Sequence, residues 1–289
     1  MKKAVFEGAA TALVTPFKNG TVDYQTLERL LDFQIENGIQ TIVICGTTGE
    51  SAAMSMQEQL ETIAHSIRYA AGRCKIIAGT GSNNTAHCLE MSRIAASVGA
   101  AALLIVTPYY NKCTQAGLVQ HYTMIADRVS APVIVYNVPG RTGLDVSVET
   151  CRILSEHPNI NGIKEASGSL AKAARILSAC GDSLHVWSGN DDIAVPMMSI
   201  GARGLISVLS NIRPKETAEM ICACLNGDYL FAGKRQVAMT PLIDALFSEV
   251  NPIPVKRAME LIGLDAGEPR PPLTPLTEEH TAHLKTLLN

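Results

Sequence analysis

The 289-residue sequence lacks most of the features that announce a function outright. It has no excess of positive charge: the formal net charge is −3 and its lysines and arginines are scattered. The electrostatic footprint of a general nucleic-acid binder is therefore missing. It has no long hydrophobic run either. The longest, Val98 to Val106, falls far below the ~18 residues a membrane span needs. The basic start Met1-Lys2-Lys3 meets Glu7 and Gly8 rather than an apolar stretch, so no signal peptide is expected there. Neither a nucleic acid nor a membrane is an expected partner.

Metal and cofactor signatures are absent as well. The eight cysteines include no CxxC pair, and most lie in apolar patterns where free cysteine acts as a small hydrophobe. Reduced thiols in a cytoplasmic protein are the expectation. None of the seven histidines pairs with another at metal-ligand spacing, and HExxH does not occur, which disfavours a zinc-dependent aldolase. Walker A and GxSxG patterns are missing. The first strand ends Val14-Thr15-Pro16-Phe17 without GxGxxG, which disfavours an open doubly wound sheet.

What the sequence does have is a rhythm. Apolar, β-branched runs recur at Ala9–Thr15, Thr41–Cys45, Lys75–Gly79, Ala101–Thr107, Pro132–Asn137, Ile160–Glu165, Leu184–Ser188 and Gly204–Leu209. Helical spacing fills the gaps, as in Leu27, Leu30, Leu31, Phe33 and Ile35. Continuous apolar strands alternating with amphipathic helices predict a parallel α/β fold closed into a (β/α)8 TIM barrel. Asn84-Thr85 is expected to cap the third helix and Asp191-Asp192 the seventh. The rhythm stops near residue 226. Residues 1–226 read as the catalytic barrel and 227–289 as a C-terminal helical extension. In that extension Tyr229–Glu249 is expected as one long amphipathic helix, followed by Val255–Leu264 and Pro275–Leu288.

Barrel enzymes gather their chemistry at the C-terminal ends of strands. At the sixth strand, alternation places Gly162, Lys164 and Ala166 on one face. Low-dielectric surroundings disfavour an ammonium, and a neutral amine can add to a ketone to give an imine. The same position also suits a lysine that snorkels to the rim or pairs with a carboxylate. Tyr136, at the end of the neighbouring strand, is a candidate proton carrier for carbinolamine dehydration, or an aromatic that fills the barrel top. Gly46-Thr47-Thr48-Gly49 offers two hydroxyls and open backbone N–H groups, suited to a carboxylate or to a plain tight turn. Arg141, in a loop rich in glycine and proline, could fork onto a second carboxylate or stand in solvent.

Taken in order, Gly46-Thr47-Thr48-Gly49-Glu50, Tyr136 to Gly143, Gly162 to Gly168, Val14 to Phe17 and Asn251 to Lys256 resemble the dihydrodipicolinate synthase family of class I, pyruvate-dependent aldolases. The resemblance implies a Schiff-base lyase that condenses pyruvate with aspartate semialdehyde in lysine and diaminopimelate biosynthesis. It implies that Lys164 forms the imine, and that Tyr136, Thr47 and Tyr110 relay protons. Thr47 and Thr48 would hold the pyruvate carboxylate and Arg141 that of the semialdehyde, with Gly189 and Ile206 lining the site. No metal and no cofactor would be needed. The tyrosine matching Tyr110 reaches in from a neighbouring subunit in the family, so a homotetramer built as a dimer of dimers is implied.

Two departures from the family pattern stand out. Cys113 replaces a frequent proline, and a reactive thiol beside Tyr110 is the expectation. Some members are inhibited by lysine at a site between subunits. The positions that usually supply His, His and Glu there are Met56, Gln59 and His87, while Asn83 and Tyr109 are retained. Losing the acidic group implies weak or no inhibition by lysine. The nearest rivals are N-acetylneuraminate lyase and keto-deoxy-sugar acid aldolases, whose sugar substrates need no fork at Arg141. A non-catalytic barrel that senses a small molecule is the rival from another class, and the complete Lys/Tyr/Thr set argues against it.

Overall fold

The computed structural model describes residues 2–288, so Met1 and Asn289, the ends of the two readings above, lie outside the described residues. Eight parallel strands close into a barrel: β1 Gly8–Ala12, β2 Thr41–Ile44, β3 Lys75–Gly79, β4 Ala102–Val106, β5 Val133–Asn137, β6 Ile160–Glu165, β7 His185–Ser188 and β8 Gly204–Ser207. Each pairs with its sequence neighbours, and β1 closes the ring against both β2 and β8. Helices α1 Tyr24–Glu36, α2 Met56–Ala70, α3 Thr85–Ser97, α4 Gln115–Ala126, α5 Val148–Ser155, α6 Leu170–Cys180, α7 Ala194–Ser199 and α8 Pro214–Leu225 follow the strands in turn. The predicted TIM barrel is what forms. A small antiparallel pair, Phe17–Lys18 with Thr21–Val22, is too short to be read from the sequence.

Period-two alternation divides the barrel into two cores. Ala10, Ala12, Val43, Ile77, Leu104, Ile134, Tyr136, Trp187 and Ile206 fill the interior. Ile42, Ile44, Leu103, Ile105, Val133, Val135, Ile163 and Val186 face the helices. The floor is closed by Trp187, which stacks on Phe6 with ring centroids 5.0 Å apart and donates from Nε1 to the Phe6 carbonyl. This indole occupies the space beside Gly162, where a Cβ would run into the Trp187 ring and the His185 carbonyl. Glycine two residues before Lys164 is thus what lets the floor seal beneath it.

Asn84 caps α3 as expected, accepting from the backbone N–H of Ala86 and His87. The expected cap on α7 is wrong. Asp191 turns inward to Ser207 and the backbone of Val208 and Leu209, and α7 starts after Ile193. The free N–H of Val195 is met instead by Gln236 Oε1 at 2.7 Å, from a helix far along the chain.

Beyond the barrel come α9 Tyr229–Leu246, α10 Ile253–Leu261 and α11 Glu278–Leu288. Helix α9 ends at Leu246 rather than Glu249, and its apolar residues run round the helix: Leu230 is 72% and Val237 73% exposed. These three helices are fastened to the loop after β2. Lys256 Nζ stands 2.6 Å from Glu50 Oε1, both side chains almost completely buried, with the Phe17 ring 4.5 Å away. Glu50 also accepts from the Arg270 backbone, and the Arg270 guanidinium pairs with Glu58. Glu50 itself holds a left-handed backbone (φ 54°) to make these contacts. Lys256→Met, which strands Glu50 without its partner, is expected to lower unfolding stability by about 3–5 kcal/mol. Urea denaturation checks this, and the further change Glu50→Gln should recover most of the loss.

Candidate active site

Strands β5 and β6 are in register so that Tyr136 lies directly opposite Lys164. The Lys164 amine sits 4.3 Å from the centre of the Tyr136 ring, and the two residues are only 6% and 7% exposed. Among the described residues no carboxylate lies within 4.0 Å of Lys164 Nζ and no hydrogen bond holds it. Lys164 is therefore not one half of a contact ion pair, although Asp191 lies near enough to feel its charge. Nearby carboxylates are engaged elsewhere. Glu165, on the outer face, accepts from Asn137 Nδ2 and from the Ser167 backbone. Asp191 takes three donors from the end of β8, and burial raises its carboxyl above the usual range.

Gly189 faces Lys164 from the end of β7. A Cβ there would lie 3.0 Å from Lys164 Cε and 2.6 Å from the Ala166 Cβ, so glycine leaves the lysine stem its room. Ile206, 1% exposed, completes this inner wall.

At the end of β2 the chain turns sharply. Cys45 adopts φ 56°, and the Glu50 N–H returns to the Thr47 carbonyl. Gly49 passes close to the Leu13 carbonyl and accepts from the Thr15 hydroxyl. Thr48 is buried, and its hydroxyl accepts from Asn251 Nδ2 at 2.9 Å. Thr47 is half-buried and turns toward a cavity of about 370 Å³ that Val106, Val138, Arg141 and Thr142 also line. Val106 and Val138 pack in addition on the interior cluster that contains Tyr136, so the cavity adjoins that cluster. Arg141 stands on a single helical turn, Pro139–Thr142, and donates to the Asn251 carbonyl at 3.2 Å. A cavity lined by one guanidinium and several hydroxyls, together with a buried amine that has no ion-pair contact, suits the addition of an amine to a small carbonyl acid.

Tyr110 is not brought to this site. It is 90% exposed on the loop after β4, with φ 69°, a conformation that bulky side chains rarely hold. Cys113 runs against the expectation of a reactive thiol: it is half-buried against Gly117, and that burial pushes the thiol up, away from thiolate. Of the altered positions, Gln59 spends its amide on the Ser51 and Met54 carbonyls, and His87 lines the cavity. No Asp or Glu is among the described residues lining it.

Sequence reasoning missed Asn251 and the Glu50–Lys256 pair as structural partners. Both lay inside runs that had been singled out, and a lysine among apolar residues in a proline-bracketed segment was the available signal.

The model of the dihydrodipicolinate synthetase family matches residues 5–289. The chain is 50% identical over 285 residues to the 4-hydroxy-tetrahydrodipicolinate synthase of Caldicellulosiruptor saccharolyticus, covering 98% of this chain and 96% of that one. It is 48% identical over 286 residues to the enzyme of the same name from Thermoanaerobacter sp. (strain X514), covering 99% and 96%. Among solved structures, the chloride-inhibited dihydrodipicolinate synthase of Acinetobacter baumannii complexed with pyruvate superposes with a TM-score of 0.96 at 44% identity, over 98% of both chains.

Gly189→Ala should displace the Lys164 stem by a fraction of an ångström to an ångström. The rate at which Lys164 is trapped by a keto acid and borohydride should then fall by about 10²-fold. Unchanged trapping would show that the stem has room to spare.

Proposed function

The chain belongs to the dihydrodipicolinate synthetase family, and on that premise we propose that it is a lyase condensing pyruvate with L-aspartate 4-semialdehyde to 4-hydroxy-tetrahydrodipicolinate, a step toward diaminopimelate and lysine. The observation that carries this reading is the Lys164 amine, buried beside Tyr136 with no carboxylate in ion-pair contact.

Lys164 adds to the pyruvate ketone, and the ketone oxygen leaves as water to give an imine. Loss of a methyl proton gives the enamine, whose carbon attacks the semialdehyde. The aldehyde oxygen takes up a proton. The substrate amine then replaces Lys164 at the imine carbon: the C=N bond to Nζ breaks as the ring C=N bond forms, and the two amine protons pass to Nζ. Tyr136 stands at Lys164 to carry protons, with Thr47 at the cavity wall. The hydroxyls of Thr47 and Thr48 and the open turn around them receive the pyruvate carboxylate, Arg141 receives that of the semialdehyde, and Gly189 and Ile206 shape the inner wall. Every step runs on this chain's own residues and the two substrates, so no cofactor or metal enters the scheme.

Tyr110 belongs to the relay only if another copy supplies it. Its exposure and left-handed backbone support a homotetramer, a dimer of dimers in which this tyrosine enters a neighbour's site. Among the described residues no helix is long and apolar enough to cross a membrane, and the eight cysteines are free, which supports a cytoplasmic setting.

Borohydride reduction with pyruvate followed by peptide mass analysis should place the adduct on Lys164, and Lys164→Ala should abolish it. A side-by-side assay should show turnover with aspartate semialdehyde and none with sialic acid; the reverse would move the chain to the sialic-acid lyases. Lysine at millimolar concentration should leave the steady-state rate nearly unchanged, because the cavity wall offers its ammonium groups no carboxylate. Strong inhibition would contradict that.

A further inference from the structure

Asn251 lies in the loop between α9 and α10, yet it is only 5% exposed and bonds to Thr48 and Arg141. Three of its polar groups meet the site differently. The side-chain N–H donates to the Thr48 hydroxyl at 2.9 Å. The backbone carbonyl accepts from Arg141 at 3.2 Å. The side-chain oxygen Oδ1 is buried with no hydrogen-bond partner among the described residues. Leaving a buried acceptor unpaired is unfavourable, so such a group calls for an explanation, and a ligand that supplies the missing donor is one.

We propose that Asn251 recognises the amino group of the second substrate, with Oδ1 accepting a hydrogen bond from it. This rests on the functional reading given above. An amino-acid aldehyde carries its carboxylate and its ammonium on one carbon, so a residue that binds the ammonium must stand next to the one that forks the carboxylate. Asn251 is held to Arg141 through its own backbone, and its free acceptor therefore belongs to the same corner of the site. A neutral amide oxygen also fits the chemistry better than a carboxylate would. The nitrogen has to shed a proton before it can close the ring, and an anionic partner would hold that proton in place. The bond from Nδ2 to Thr48 fixes which way the amide points.

The test compares aspartate semialdehyde with succinate semialdehyde, the same aldehyde without the amino group. In Asn251→Ala, KM for aspartate semialdehyde should rise about 10- to 100-fold, the range for a lost hydrogen bond to a charged group. The Ki of succinate semialdehyde should move by less than about threefold. Asn251→Asp, which restores an acceptor of the same size, should recover most of the affinity for aspartate semialdehyde while lowering kcat. Pyruvate trapping on Lys164 in both variants shows that the barrel is assembled. Equal losses for the two aldehydes would overturn the proposal and leave Asn251 as a brace for Arg141 and Thr48 alone. An unchanged KM would overturn it too. Failure of the unaltered protein to trap pyruvate would instead remove the functional reading, and this inference with it.

Discussion

Lys164 projects into a closed barrel with no carboxylate in contact with its amine, while the other buried lysine of this chain is treated in the opposite way. Lys256 has Glu50 at 2.6 Å and the Glu268 carbonyl at 3.3 Å, so its charge is compensated on the spot. Lys172, partly covered, pairs with Asp145 and approaches Glu165. A protein interior penalises an unpaired ammonium far more than a paired one, and the difference sets what each lysine is for. The paired one holds segments together. The unpaired one is left without that compensation, and much of the barrel is arranged around that condition. Trp187 and Phe6 seal the floor, Gly162 admits the indole, Gly189 clears the stem, and Asp191 and Glu165 spend their charges on other donors.

The three C-terminal helices belong to the same arrangement. They close no barrel strand, but they reach the loop after β2 through Lys256, Arg270 and Asn251, and α7 through Gln236. That loop carries Thr47 and Thr48, whose position depends on a sharp turn with left-handed backbone at Cys45 and Glu50. Strain of that kind persists only where the surroundings hold it. Here the surroundings are residues more than two hundred positions away in sequence, as with Asn251 to Thr48 (203) and Arg270 to Glu50 (220).

That separation also explains what could and could not be read from the sequence. The strands, the inward face of Lys164 and its pairing with Tyr136 were legible because they follow from alternation within one strand and adjacency of two. Asp191 was misread as a local cap because acidic residues before a helix usually are caps, and nothing nearby reveals that the end of β8 offers three donors instead. Gln236, Asn251 and the Glu50–Lys256 pair escaped for the same reason: each acts on a partner that only the closed fold brings near. Tyr110 is the reverse case. Its importance came from a resemblance, and a single copy of the chain leaves it in solvent.

The fastening of the β2 loop by the last segment has a consequence for synthesis. A ribosome delivers the chain from its N-terminus, so all eight strands and Lys164 emerge before Asn251, Lys256 and Arg270. During that interval the barrel can close around its amine while the turn that carries Thr47 and Thr48 is still unbraced. The buried amine is thus enclosed early, and the fastening of the turn that faces it waits for the C-terminal helices to be made.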